Sequence, residues 1–189
     1  MAKQFSRIQD VHRNFIGRQR IFFTASAAEG TRVNVSPRST DALRLLDAST
    51  AIYLDRTGSG NETAAHLLAD GRLTIMFCAF EGPPVILRLY GKGCMIRRNS
   101  PEYLDLLDTH YDGNEPLGAR QIIRLDIDLV QTSCGYAVPL FDYRNERPNL
   151  DRWAQAKGET GLDAYRREKN LTSMDGLPTG LFDEDEMAS

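Results

Sequence analysis

Cysteine and histidine are both scarce in this chain, at three of each. Cys78, Cys94 and Cys134 are odd in number, far apart and without a C-x-x-C pair, which argues against a disulfide framework and against a zinc knuckle. His12, His66 and His110 are equally scattered, so no metal site is expected. Positive charge is not in surplus: the net charge is −3 and no long basic run occurs, unlike a general nucleic-acid binder. There is no apolar run long enough to span a bilayer, and the first six residues hold no signal-peptide core. The expectation is a cytoplasmic protein with no membrane or nucleic-acid partner. Its 189 residues, 41% hydrophobic, suffice for one domain with a small appendage.

What the chain does have is a dense succession of β-prone runs. Residues 6–20 place Ile8, Val11 and Phe15 at helical spacing and predict an amphipathic helix. Residues 21–27 and 32–36 read as a hairpin, with Pro37 stopping the second strand. Residues 39–46 suit one or two helical turns, and 50–55 a third strand. Residues 61–70 form a short helix ended by Gly71. Residues 72–80 are nearly all apolar and predict a central strand. Residues 85–97 form a long strand whose Gly91 and Gly93 mark a bend or bulge. Ser100 and Pro101 open a helix to Tyr111. In residues 121–132, Ile123, Leu125, Ile127 and Leu129 alternate with Arg124, Asp126 and Asp128. Residues 148–157 and 161–169 read as two charged helices anchored by Trp153 and Tyr165. Asp183, Glu184, Asp185 and Glu186 form an acidic tail read as disordered. Six strands with short connections and few helices predict a mainly β (α+β) fold, an antiparallel barrel with peripheral helices.

The chemically suggestive stretch is Thr57-Gly58-Ser59-Gly60-Asn61-Glu62-Thr63, between the third strand and the short helix. Glycines let backbone N–H groups converge, hydroxyls add neutral donors, Arg56 adds a cation, and a helix start favours negative charge. Asn61 suits the N-cap. The loop alone reads first as a surface loop ending in an ordinary cap, and only second as a phosphate cradle.

The order of these elements resembles the FMN-binding split barrels, the pyridoxamine 5'-phosphate oxidase-related proteins. The matching words are Arg32-Val33-Asn34-Val35-Ser36-Pro37-Arg38, then Tyr53-Leu54-Asp55 with the glycine loop. Arg72-Leu73-Thr74-Ile75-Met76-Phe77-Cys78-Ala79-Phe80-Glu81-Gly82-Pro83-Pro84, Leu87-Arg88-Leu89-Tyr90-Gly91-Lys92-Gly93 and Thr132-Ser133-Cys134-Gly135-Tyr136-Ala137-Val138-Pro139 follow. The resemblance covers residues 6–169 and implies a six-stranded split barrel that forms a homodimer, with FMN at the subunit interface. It divides the chain into the barrel with its N-terminal helix (1–147), a helical appendage (148–175) and a flexible acidic tail (176–189).

By position, the resemblance implies that Arg32 pairs with the flavin phosphate, helped by Thr57, Ser59, Gly60, Asn61 and Thr63. Asn61 and Thr63 stand where the family's oxidases place a serine and a lysine, so a cation is missing, and Arg88 is the candidate to compensate. Asn34, Val35 and Ser36 would run beside the flavin's pyrimidine edge; Asn34 and Ser36 also suit the outward positions of an edge strand. Ser133, Cys134, Gly135 and Tyr136 would come from the opposite subunit, Cys134 as a small residue rather than a redox thiol. His66 and Trp153 are read as structural, His66 on a helix surface or interface. The family's true oxidases end in a tryptophan-arginine-histidine-arginine signature, whereas this chain has Leu177-Pro178-Thr179-Gly180-Leu181-Phe182 followed by acid. The resemblance therefore implies an FMN-dependent oxidoreductase of a different small substrate. The alternatives are a non-catalytic flavin store or redox sensor, and an interaction module holding another anion.

Overall fold

The computed structural model describes residues 2–182, so the acidic stretch at 183–186 lies outside the described residues. The strands are β1 (Lys3–Phe5), β2 (Ile21–Ser26), β3 (Asn34–Ser39), β4 (Leu43–Leu45), β5 (Thr50–Arg56), β6 (Arg72–Cys78), β7 (Val85–Arg97) and β8 (Ala119–Cys134). The helices are α1 (Asp10–Ile16), α2 (Glu62–Ala69), α3 (Pro101–Tyr111) and α4 (Asn149–Lys169). All eight strands join one sheet in the order β3-β2-β6-β7-β8-β5-β4, with β1 added on β8. Every pairing is antiparallel.

β8 organises the sheet. One edge is bonded to β7 from Val85↔Cys134 to Arg97↔Gln121. Its other edge is shared between β5, from Ala119 to Asp126, and β1, from Val130 to Thr132. With a register shift between Tyr90 and Gly91, the sheet curls into a split barrel. Alternation decides what fills it. Phe22, Tyr53, Ile75, Phe77, Leu87, Leu89, Ile123 and Leu125 point inward and form the main core. The opposite faces of β5, β7 and β8 contribute Ile52, Leu54, Ile96 and Ile122 to a second core under α3 with Tyr103, Leu106 and Leu107. Two-sided burial explains why β5 reads as a solid apolar run.

The strand count is eight rather than six because β1 and β4, three residues each, add to the expected set. Residues 39–46 hold only a 3-10 turn, Thr40–Ala42, before β4 pairs with β5. Pro37 does not stop β3, which runs on to Ser39. β3 is bonded on one side only, to β2, and an edge strand tolerates a proline whose missing N–H faces outward. α1 is seven residues long and buries His12, Phe15 and Ile16, leaving Val11 64% exposed. Ile8 is buried ahead of the helix. α4 contains a non-helical Gly158 (φ 64°, ψ 175°), so it is two helical pieces, as the sequence suggests. Trp153 and Tyr165 meet edge-on at 5.2 Å across that kink. Residues 176–182, expected to belong to the tail, pack instead. Thr172 pairs with Pro178, Thr179 and Leu181 are buried, and the Gly180 carbonyl accepts from Arg97 Nε at 2.9 Å.

Candidate functional site

Between β3, the end of β5 and the start of α2 lies a cavity of about 470 Å³. Asn34, Ser36, Ser59, Gly60, Asn61 and Thr63 line it, so six of the expected site residues converge. The strand–loop–helix connection brings the loop to the mouth of the barrel, and β2 carries β3 alongside.

The floor of the cavity is a buried charge network that sequence reasoning missed. Asp55 is 1% exposed. Its Oδ2 accepts from Arg120 Nε at 3.0 Å, Arg120 Nη2 at 2.6 Å and Gln121 Nε2 at 2.8 Å, while Oδ1 accepts from Arg38. Burial alone would raise the Asp55 carboxyl, but the Arg120 and Arg38 charges outweigh it and hold it below the usual carboxylate range. Arg120 Nη1 also reaches the Gly60 carbonyl at 2.9 Å, and Asn170 Nδ2 donates to the Gly58 carbonyl at 3.1 Å. In a trans peptide the C=O and the following N–H point in opposite directions. With the Gly58 and Gly60 carbonyls turned to Asn170 and Arg120, the N–H groups of Ser59 and Asn61 turn away from them.

Asn61 occupies the N-cap of α2, but its side chain makes no capping bond. Its Oδ1 accepts from Gln121 Nε2 at 2.8 Å, and its Nδ2 is buried without a partner. The first-turn N–H groups of α2 are thus left uncapped by a side chain, which suits an anion at this helix start. Thr63 Oγ1 accepts from Asn34 Nδ2 at 3.1 Å, so its own proton remains to donate. Above Gly58 the space is open, with nothing within 4 Å of where a Cβ would stand. Arg38, Arg56 and Arg120 line this hollow against Asp55 and Glu62, and the orphaned Asn61 amide has no protein partner. The residues fit a phosphate group.

Other expected residues lie elsewhere. Arg32 is exposed and ion-paired to Asp175, not at the cavity. Val35 is 60% exposed on the edge strand. Thr57 is buried; its hydroxyl donates to the Gly118 carbonyl at 2.9 Å and accepts from Arg166 Nε, so it fixes the loop's start rather than offering a donor. Arg88 does not line its own chain's cavity: it lies across β7–β8, bonded to Ser133 Oγ at 3.1 Å. Cys134, Gly135 and Tyr136 follow at the end of β8, outside their own chain's cavity. His66 is buried, not on a helix surface, with Nδ1 at 3.1 Å from Ser26 Oγ. Asp55 closing an apolar strand, and Arg120 at the head of an alternating one, were the available signals for the missed network. Their pairing across 65 residues was not readable.

A second hollow of about 950 Å³ adjoins the first, sharing Pro37 and Arg38, with Phe80, Phe141 and Tyr143 on its wall. Among the described residues no cluster of three metal-ligating side chains occurs, and no helix is long and apolar enough to cross a membrane.

Comparison with known proteins agrees with this architecture. A pyridoxamine 5'-phosphate oxidase family protein, ustO of Aspergillus flavus, is 38% identical over 190 residues, covering 92% of this chain and 76% of that protein. Among solved structures, a single-residue variant of Group A Streptococcus HupZ has a TM-score of 0.55 at 17% identity, covering 67% of this chain and 99% of that one. A Lactobacillus delbrueckii protein described as a putative pyridoxamine 5'-phosphate oxidase has a TM-score of 0.52 at 14% identity, covering 67% and 94%. The family model for pyridoxamine 5'-phosphate oxidase matches residues 8–134, and the chain belongs to that family.

Proposed function

We propose that the chain is an FMN-binding flavoprotein, an oxidoreductase of a small substrate other than pyridoxamine 5'-phosphate, acting as a homodimer with the cofactor at the subunit interface. The observation that carries this reading is the β5–α2 loop. Its carbonyls are drawn down onto Arg120 and Asn170, its N–H groups face the opposite way, and an unpartnered Asn61 amide stands beside them. Ser59, Asn61, Thr63 and the start of α2 would hold the phosphate. Arg38 and Arg120 supply the cations there, in place of Arg32 and the missing lysine. Asn34 and Ser36 would meet the polar rim of the ring. When bound, FMN supplies the hydride chemistry; the chain's own residues bind, orient and exclude water. The adjoining hollow along Pro37 and Arg38 gives a ligand longer than a phosphate room to extend.

The test is direct. The purified protein is expected to be yellow, to release FMN on denaturation, and to bind FMN more tightly than riboflavin in calorimetry. A colourless protein that ignores added FMN overturns the proposal. Rapid reduction of the bound flavin by NADH or NADPH in stopped flow is expected of an oxidoreductase.

A further inference from the structure

Arg166 and Asn170, at the end of α4, lie beyond the segment that the family model matches. Both are buried, at 5% and 0% exposure. Arg166 Nε donates to the Thr57 hydroxyl and Nη2 to the Ala119 carbonyl, each at 2.9 Å. Among the described residues no carboxylate pairs with it directly. Burial and the neighbouring Arg98 charge both press its guanidinium towards losing its proton, with Glu159 and Asp163 of its own helix opposing from the solvent side. Asn170 Oδ1 accepts from Arg120 Nη1 at 2.8 Å while its Nδ2 donates to the Gly58 carbonyl. Asn170 is itself held, since its backbone carbonyl accepts from the buried Thr179 hydroxyl at 2.7 Å.

Beneath the loop there are therefore three guanidiniums, of Arg38, Arg120 and Arg166, and one carboxylate, Asp55. An uncompensated buried cation is costly, and a fold that retains one gains when an anion arrives. Among the described residues, Glu62 is the one acid besides Asp55 that lines the cavity. Its carboxylate is engaged by the Met174 N–H at 3.0 Å, which leaves the three guanidiniums in excess of the two acids.

We propose that the C-terminal helix completes the phosphate site: Arg166 and Asn170 are positioning residues that clamp the Thr57–Gly60 loop from beneath and, with Arg120 and Arg38, supply the excess positive charge that a dianionic phosphomonoester requires. The proposal rests on the FMN reading above. It adds to Arg38 and Arg120 a third cation from outside the family-matched segment, in the chain's own appendage.

The experiment titrates flavin-free protein with FMN and with riboflavin, following the quenching of flavin fluorescence, for the wild type, Asn170→Asp, Arg166→Met and Arg166→Lys. Asn170→Asp and Arg166→Met are expected to weaken FMN by about tenfold or more and to leave riboflavin almost unchanged. Arg166→Lys keeps the charge and should recover part of the loss. Added salt should erode the preference for FMN more in the wild type than in the variants. Equal losses for the two flavins, or none for either, overturn the proposal while the wild type still prefers FMN. A wild type without that preference removes the phosphate reading itself, a distinguishable failure. If Arg166→Met does not fold, Asn170→Asp, which keeps the side chain's shape, decides the matter.

Discussion

Asp55 illustrates how one side chain serves both stability and site. Its carboxylate neutralises part of the charge of Arg120 and Arg38 and anchors Gln121, which in turn holds Asn61. Asp55→Asn removes the charge but little volume, and should destabilise by about 3 kcal/mol, the scale for breaking a buried ion pair. The pH dependence has a fixed sign. The folded carboxyl lies below its unfolded value of about 3.9, so its contribution is complete above that value and is lost as pH falls through the depressed folded one. Urea midpoints of wild type and variant should differ most at neutral pH and converge in acid. A gap that ignores pH would mean that the carboxylate's charge is not its source. Asn61 makes a complementary case. As an N-cap it would be worth about 1 kcal/mol to α2, but with no capping bond made, Asn61→Ala should cost helix stability little and flavin affinity more. Thermal denaturation beside an FMN titration separates these effects.

At the scale of the element, β7 carries the fold's curvature. A Cβ on Gly91 would stand 1.9 Å from the Asp126 carbonyl oxygen, a backbone atom, where β7 and β8 shift register. On Gly93 it would meet only the tips of Leu67 and Leu73 at 2.9 Å. Gly91→Ala is therefore expected to cost about 3 kcal/mol or more, and Gly93→Ala about 1 kcal/mol, because leucine tips can rotate aside and a ladder carbonyl cannot. Equal denaturation midpoints for the two variants would contradict this. The same strand shows what the sequence makes legible. Gly91 and Gly93 announce the bend, and period-two patterning sets the limits of β7 and most of β8. Pro37 and residues 39–46 misled because strand character there comes from a neighbour: β3 has one partner and β4 exists by pairing with β5. In the site, the loop was legible because its residues are consecutive. The Asp55–Arg120–Asn170 network joins three distant segments and depends on packing that no local pattern encodes.

At the scale of the whole molecule, much apolar surface remains uncovered. Val33 and Val35 beside and on the edge strand are 68% and 60% exposed, and Tyr136, Leu140 and Phe141 after β8 are 85%, 73% and 60% exposed. Single exposed apolar residues are ordinary, but a free strand edge flanked by valines is a pairing hazard unless something covers it. The homodimer proposed above would cover it with a second copy and would bring residues 133–136 of that copy towards the flavin. Linkage then makes a quantitative demand. A ligand that binds only the assembled interface stabilises the dimer by about 2.7 kcal/mol per site at a hundredfold excess over its Kd. Sedimentation equilibrium should give a dimer whose dissociation constant tightens by about two orders of magnitude or more when FMN is added. Riboflavin should shift it less, because the phosphate contacts are missing. A flavin-loaded monomer would remove the shared-interface arrangement and leave the cavity at the β5–α2 loop as a binding site complete within one chain.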